Sequence, residues 1–247
     1  MSRRDRVSFD RRIDLEWLDY VAGLTADGHA PIDVRQKLIS FLGDKLSGPN
    51  RSDSACGKAV RLLSRIWVNV DQEVIGLRDQ ALEVLPNASP DQRLAMHWTL
   101  CLGGFPFFGD VATHGGRLLS LQGTLSTAQV LRRLYEQWGE RSTLCFTVQR
   151  ALRSMVQWGA LADTVGRGIY TEGPRRIAVH GVLAQLLLEA LLIYEGKALP
   201  VDQTMCHPAF FPFDVILFAH ELRQSPRFEV HRQGLDVDMV QLAQGSQ

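Results

Sequence analysis

The sequence predicts a mainly α fold, a helical bundle joined to a helix-turn-helix unit that closes on a small β-hairpin. Three observations carry this class. Apolar residues recur at intervals of three and four through most of the chain. Gly and Pro punctuate those runs at their ends, as at Pro90, Gly103-Gly104, Gly139 and Gly196. Strand-like alternation is confined to two short stretches with tight glycine turns, Ala160 to Thr171 about Gly166-Arg-Gly168 and Arg227 to Val240 about Gln233-Gly234.

Residues 1–12 carry Arg3, Arg4, Arg6, Arg11 and Arg12 against Asp5 and Asp10. They read as a basic arm, either a solvated terminus or a segment that orders on contact with DNA. Residues 13–104 read as a helical bundle. Ile13, Trp17, Leu18, Val21 and Leu24 make the first stripe, and Asp33 caps a second helix carrying Val34, Leu38, Phe41 and Leu42 until Gly48-Pro-Asn50 ends it. Asp53 or Ser54 caps a third, with Ala59, Leu62, Leu63 and Ile66 inward and Lys58, Arg61 and Arg65 outward. That outer row is either a solvated face or the DNA-contacting side of a second helix-turn-helix. A fourth helix spans about 71–85 before Pro86, and Pro90 opens a fifth that carries Leu94, Trp98 and Leu102 inward.

Residues 105–173 form the next unit. Phe105-Pro-Phe-Phe108 is read as a core wedge joining the bundle to this unit. Ser126 caps a helix to Trp138 with Val130 and Leu134 on the same face, and Gly139-Glu-Arg141 breaks it. Ser142 or Thr143 starts the next, in which Leu144, Val148, Leu152, Met155 and Val156 form one stripe while Gln149, Arg150, Arg153, Ser154 and Gln157 face away. It ends at Trp158-Gly159, and the hairpin about Gly166-Arg-Gly168 follows.

Helix, short turn, helix, hairpin is the order of a winged helix-turn-helix, and Arg117 to Thr171 resembles the DNA-binding domains of that name. Under the resemblance Phe107 to Leu121 is the first helix, Ser126 to Trp138 the second, Ser142 to Trp158 the recognition helix and Gly166-Arg-Gly168 the wing tip. The whole chain also resembles the small, mostly helical DNA-binding proteins of BREX-type phage-defence systems. The shared features are a helical part closing on Leu62-Leu-Ser-Arg-Ile-Trp67, the Phe105-Pro-Phe-Phe108 element and the winged unit behind it. This second likeness implies protein partners from a defence system.

Residues 174–247 read as a helix-hairpin unit. Val182 to Tyr194 is apolar on several sides, so it is buried centrally or at a homodimer interface. Phe213 to Arg223 is read as a further apolar helix without a basic face, followed by the hairpin Arg227 to Arg232 and Leu235 to Val240.

Composition narrows the chemistry. The longest apolar run is too short to cross a bilayer and the start has no signal core, so a cytoplasmic protein without membrane contact is expected. Cys56, Cys101, Cys145 and Cys206 have neither zinc nor disulfide spacing. His97 and Cys101 lack a third ligand, Cys206-His207 lacks an orienting carboxylate, and Glu195-Gly-Lys197 ends a helix where a nuclease core would need a strand. No glycine loop carries a phosphate-binding Lys. The expectation is a protein that is not an enzyme and takes neither cofactor nor metal.

Net charge is formally zero, yet Arg117 to Arg176 holds nine arginines and no lysine against four acids. A basic module on an acidic body concentrates attraction for phosphate. Gln149 and Arg153 share a face flanked by Arg150 and Ser154, and Arg and Gln are the residue types that pair with base edges. Thr143, Thr147 and Gln157 complete that helix's candidate contacts, while Arg132, Arg133, Arg141 and Arg167 are placed for phosphates. The expected function is weakly selective binding of double-stranded DNA by an accessory protein. The alternatives are a dimeric winged-helix transcription regulator and an adaptor that binds protein and not DNA.

Overall fold

Trp98 marks the place where three stretches of the chain meet. Its indole is fully buried, with ring centroids of Phe108, Trp158, Phe211 and Phe213 at 5.0, 6.2, 5.4 and 5.6 Å, all edge-on. Its Nε1 donates to the Ala209 carbonyl at 3.0 Å. Aromatic edges and faces carry opposite partial charge, which favours this arrangement over parallel stacking.

The computed structural model describes residues 7–43, 45–46, 54–234 and 237–243. Among them the chain is mainly helical with small sheets, and no helix is long and apolar enough to cross a membrane. The first helices are α1 (Leu15–Ala26), α2 (Pro31–Gly43), α3 (Ala55–Trp67) and α4 (Ile75–Val84). Their buried residues include the expected stripes, with Phe41 only half-buried. Ser54 caps α3 by accepting from the Gly57 amide at 3.0 Å; Asp53 and Gly48-Pro-Asn50 lie outside the described residues. The second helix starts at Pro31, so Asp33 sits in its first turn and is not its cap.

α5 (Pro90–Gly104) opens on a reciprocal pair in which Ser89 Oγ accepts from the Gln92 amide and Gln92 Oε1 from the Ser89 amide. Pro106 then forces Phe105 out of helical geometry, and α6 (Pro106–Gln122) leaves in a new direction. Phe105, Phe107 and Phe108 are buried, as the wedge reading expects.

The next stretch runs β1 (Thr124–Ser126), α7 (Thr127–Trp138), α8 (Leu144–Gln157), β2 (Leu161–Asp163) and β3 (Ile169–Glu172). β3 lies between β1 and β2, both antiparallel, with Leu125 opposite Tyr170 and Ala162 opposite Thr171. The sequence reading did not anticipate β1, because three residues are too few for alternation to register.

The remainder comprises β4 (Ile177–His180), α9 (Gly181–Glu195), β5 (Leu199–Pro200), α10 (Val201–Thr204), β6 (Phe213–Ile216), α11 (Ala219–Gln224), β7 (Phe228–Gln233) and β8 (Val237–Leu242). β7 and β8 form the expected hairpin, extended by β5; Leu235 and Asp236 lie outside the described residues. The expected helix from Phe213 to Arg223 is a correction. Its first half is a strand paired in parallel with β4, Val179 opposite Val215. Phe213 and Val215 point inward while Asp214 and Ile216 are exposed, a period of two that outweighs the apolar content on which a helix was expected.

α9 packs on α5, where a Cβ at Gly103 would meet Ala190 at ordinary contact distance, 3.5 Å, and press on Leu77 Cδ2 at 3.1 Å. The buried apolar residues form one continuous cluster from Phe9 to Val240. The segment before α1 belongs to it. Phe9 is buried between Phe105 and Phe108, at 5.6 and 4.9 Å, and takes a left-handed φ of 66°. That conformation costs roughly 1–3 kcal/mol and is retained only because the surrounding packing fixes it. The solvated-arm reading therefore fails for residues 7–10, while Arg3, Arg4 and Arg6 lie outside the described residues.

Candidate nucleic-acid interface

Ser126 and Gln129 cap α7 reciprocally, at 3.2 and 3.0 Å, and Gly139 at φ 69° closes it. α8 begins after Thr143 and buries Leu144, Val148, Ala151, Leu152 and Met155. The rest of its circumference divides into two stripes. Phe146, Gln149 and Arg153 are exposed, with Phe146 60% accessible. Arg150, Ser154 and Gln157 bond the N-terminal segment, and Thr147 is buried on the same side of the helix.

This second stripe corrects the expectation that all four face a ligand. Thr147 is buried and donates to the Thr143 carbonyl at 3.0 Å, and Arg150 Nη1 donates to the Asp10 carbonyl at 2.6 Å. Ser154 is fully buried, accepting from the Ile13 amide at 2.9 Å. Gln157 Oε1 accepts from the Leu15 amide at 2.8 Å, and Trp158 Nε1 donates to the Ile13 carbonyl at 2.9 Å. The cause is an irregular segment whose backbone groups need partners once Phe9 and Ile13 are buried. These polar residues supply them.

The exposed stripe faces the β2–β3 hairpin. Thr164 Oγ1 bonds the Ile169 carbonyl at 3.0 Å and accepts from the Gly166 amide at 3.2 Å, shaping the tip, while Gly168 turns at φ 74°. The Gly168 carbonyl also takes the first amide of α7, from Thr127 at 3.0 Å. Between hairpin and helices lies a groove of about 770 Å³, bordered by Thr127, Gln149, Arg153, Thr164 and Arg167.

Charge around the groove is mixed. Arg153 is ion-paired with Asp163 across it, and that hydrogen bond raises the Arg153 pKa further. Arg132, Arg141 and Arg167 are exposed, and none forms an ion pair among the described residues. Arg133 stands 3.9 Å from Glu136. On α3, Arg61 is exposed, Lys58 half-buried, and the half-buried Arg65 lies 4.9 Å from the Phe105 ring centroid. The chain at Ser8 to Asp10 runs beside these three, so α3 presents part of its basic face to its own N-terminal segment.

Sequence reasoning missed Phe146 and the Arg153–Asp163 pair. The former was legible, because Phe146 lies off the stripe of Leu144, Val148 and Leu152. The latter needs the path of the hairpin.

Other polar groups occupy structural positions. Buried His97 accepts at Nδ1 from Trp67 Nε1 at 3.1 Å and holds Asp19 through Nε2 at 3.1 Å. Burial pushes its pKa below the usual histidine value and raises that of Cys101 well above the usual thiol value. His207 does meet a carboxylate, contrary to expectation: its Nε2 lies 3.4 Å from Glu195, and its Nδ1 accepts from the Ala209 amide at 3.2 Å. Both ring nitrogens are engaged, leaving neither to activate Cys206. Among the described residues, no group of three or more His, Cys, Asp or Glu is placed to hold a metal. Comparison with protein-family models, curated proteins and solved structures finds no match to the chain.

Proposed function

We propose that residues 105–173 are a winged helix-turn-helix and that the protein binds double-stranded DNA without catalysing a reaction on it. The observation that carries this reading is the convergence on one groove of Gln149 and Arg153 of α8 and the hairpin tip with Arg167, which has no ion pair among the described residues. Arg132 and Arg141, at α7 and the turn, add two more charges without an ion pair among the described residues. Cations of this kind supply sequence-independent affinity by displacing counterions from the phosphate backbone.

Weak selectivity follows from what is left to read bases. Arg150, Ser154 and Gln157 hold the N-terminal segment, and Arg153 is shared with Asp163. Thr143 and Gln149 remain, fewer than a reader of a defined operator uses. Of the two surfaces on which a regulator would dimerise, α9 and the β7–β8 hairpin, α9 is mostly buried within the chain, which weighs against that half of the alternative. A setting in BREX-type phage defence, with partner proteins from that system, rests on the resemblance in sequence alone.

A second reading is favoured by specific observations. The engagement of Arg150 and Arg153, with Phe146 exposed on the same helix, suits an adaptor that docks a protein on this face. Fluorescence anisotropy with duplexes of several sequences across a salt series separates the two. DNA binding predicts comparable affinities for all duplexes and, in Arg167→Ala, a log–log salt slope shallower by about 1. Absence of binding at about 100 mM salt, where non-specific binders still associate, rejects the DNA reading, and a co-purifying protein partner then supports the adaptor.

A further inference from the structure

A second cleft, of about 550 Å³, opens between α6, the C-terminal end of α7 and the residues that close α9. Its volume falls within the roughly 300–1,000 Å³ of small-molecule sites. Its walls are mostly polar or charged, which suits a hydrophilic occupant.

The carboxylates in the cleft already have donors from the protein. Asp110 accepts from Tyr194 Oη at 2.6 Å and Trp138 Nε1 at 2.8 Å. Burial and the Asp110 charge push the Tyr194 pKa up, so its hydroxyl stays a donor. Glu195 is held between His207 at 3.4 Å and Lys197 at 3.2 Å, and these partners bring its pKa down to about 2.

Of the two basic side chains in the cleft, Lys197 is taken up by Glu195 and Arg117 is not matched in this way. Arg117 lines the cleft, is exposed and has no ion-pair partner among the described residues. His114, one turn before it, bonds Gln137 at 3.4 Å. Its pKa is lowered by burial first, with the charges of Arg117 and Arg133 adding to the effect. The Tyr194 wall is set by close packing, because a Cβ at Gly109 would overlap its ring.

We propose that this cleft binds a hydrophilic anion of roughly sugar-phosphate size, presenting a phosphate or carboxylate to Arg117 with Lys197 and His114 beside it. The guanidinium fork matches either group with two parallel hydrogen bonds. The site lies outside the α8 surface and holds whether or not the chain binds DNA.

The test titrates the full-length chain with inorganic phosphate, ribose 5-phosphate and citrate, following thermal melting and the NMR signals of the His114 ring. Saturable movement of the His114 signals with a rise in Tm is expected. Arg117→Ala should weaken binding by tenfold or more, and Arg167→Ala should leave it unchanged. Among the described residues Arg117 forms no hydrogen bond or ion pair, so unaltered melting of the unliganded variant confirms that only the site was changed. Stronger binding of ribose 5-phosphate marks the occupant as a phosphate, and stronger binding of citrate as a polycarboxylate. No saturable change with any of the three, or equal affinity in Arg117→Ala, overturns the proposal.

Discussion

Polar side chains on α8 that the sequence presents as ligand-facing serve the protein's own backbone. Ser154 is the sharpest case: fully buried, it accepts from the Ile13 amide and donates to the Arg150 carbonyl at 3.0 Å. Ser154→Ala should leave that amide unpaired and cost about 1–3 kcal/mol, seen in urea unfolding, with duplex affinity unchanged. A loss of DNA binding at unchanged stability would return Ser154 to the interface. His97 offers a pH test. Burial holds it neutral in the fold, whereas in the unfolded chain it takes a proton near pH ~6.5. Acid therefore favours unfolding, and its contribution is complete above that pH and declines below it. His97→Gln can keep both bonds, its carbonyl facing Trp67 and its amide facing Asp19, without titrating. The variant should lose less stability than the parent between pH ~6.5 and ~5, and parallel curves from denaturant titrations would exclude this role.

At the scale of elements, close helix packing is written in glycine. Gly116 on α6 faces the Pro208 carbonyl with no room for a methyl group. Gly116→Ala should force the turn at Pro208–Phe210 outward and destabilise by about 1–3 kcal/mol, read as a lowered Tm. A Tm within a degree of the parent would mean that the turn yields freely. Elements of this kind were legible to differing degrees. Helices with long apolar stripes and explicit caps, such as α3, α5 and α7, could be read nearly to the residue, because local spacing determines both their buried face and their ends. β1 and β6 could not, since a short strand is defined by a partner distant in the chain. The candidate interface divides in the same way. The exposure of Gln149 and Arg167 follows from helical period and turn chemistry, whereas the engagement of Arg150, Ser154 and Gln157 depends on a segment some 140 residues earlier.

For the whole molecule, one ring ties the parts together. Trp98 on α5 touches Phe108 and Trp158 of the middle unit and Phe211 and Phe213 of the last. Trp98→Ala should cost about 3–5 kcal/mol and lower stability throughout, so that hydrogen exchange rises in α3, α8 and α9 alike. Faster exchange confined to α5 would show the three parts to be energetically separate.

The N-terminal seam has a consequence for synthesis. Ile13 finds its hydrogen-bond partners 141 and 145 residues further along. At ~5–20 residues per second, a nascent chain carries Phe9 and Ile13 without their final neighbours for roughly 7–30 s. That interval gives a chaperone or ribosome-associated factor an apolar handle on the nascent chain, and makes closure of this seam a late event in maturation.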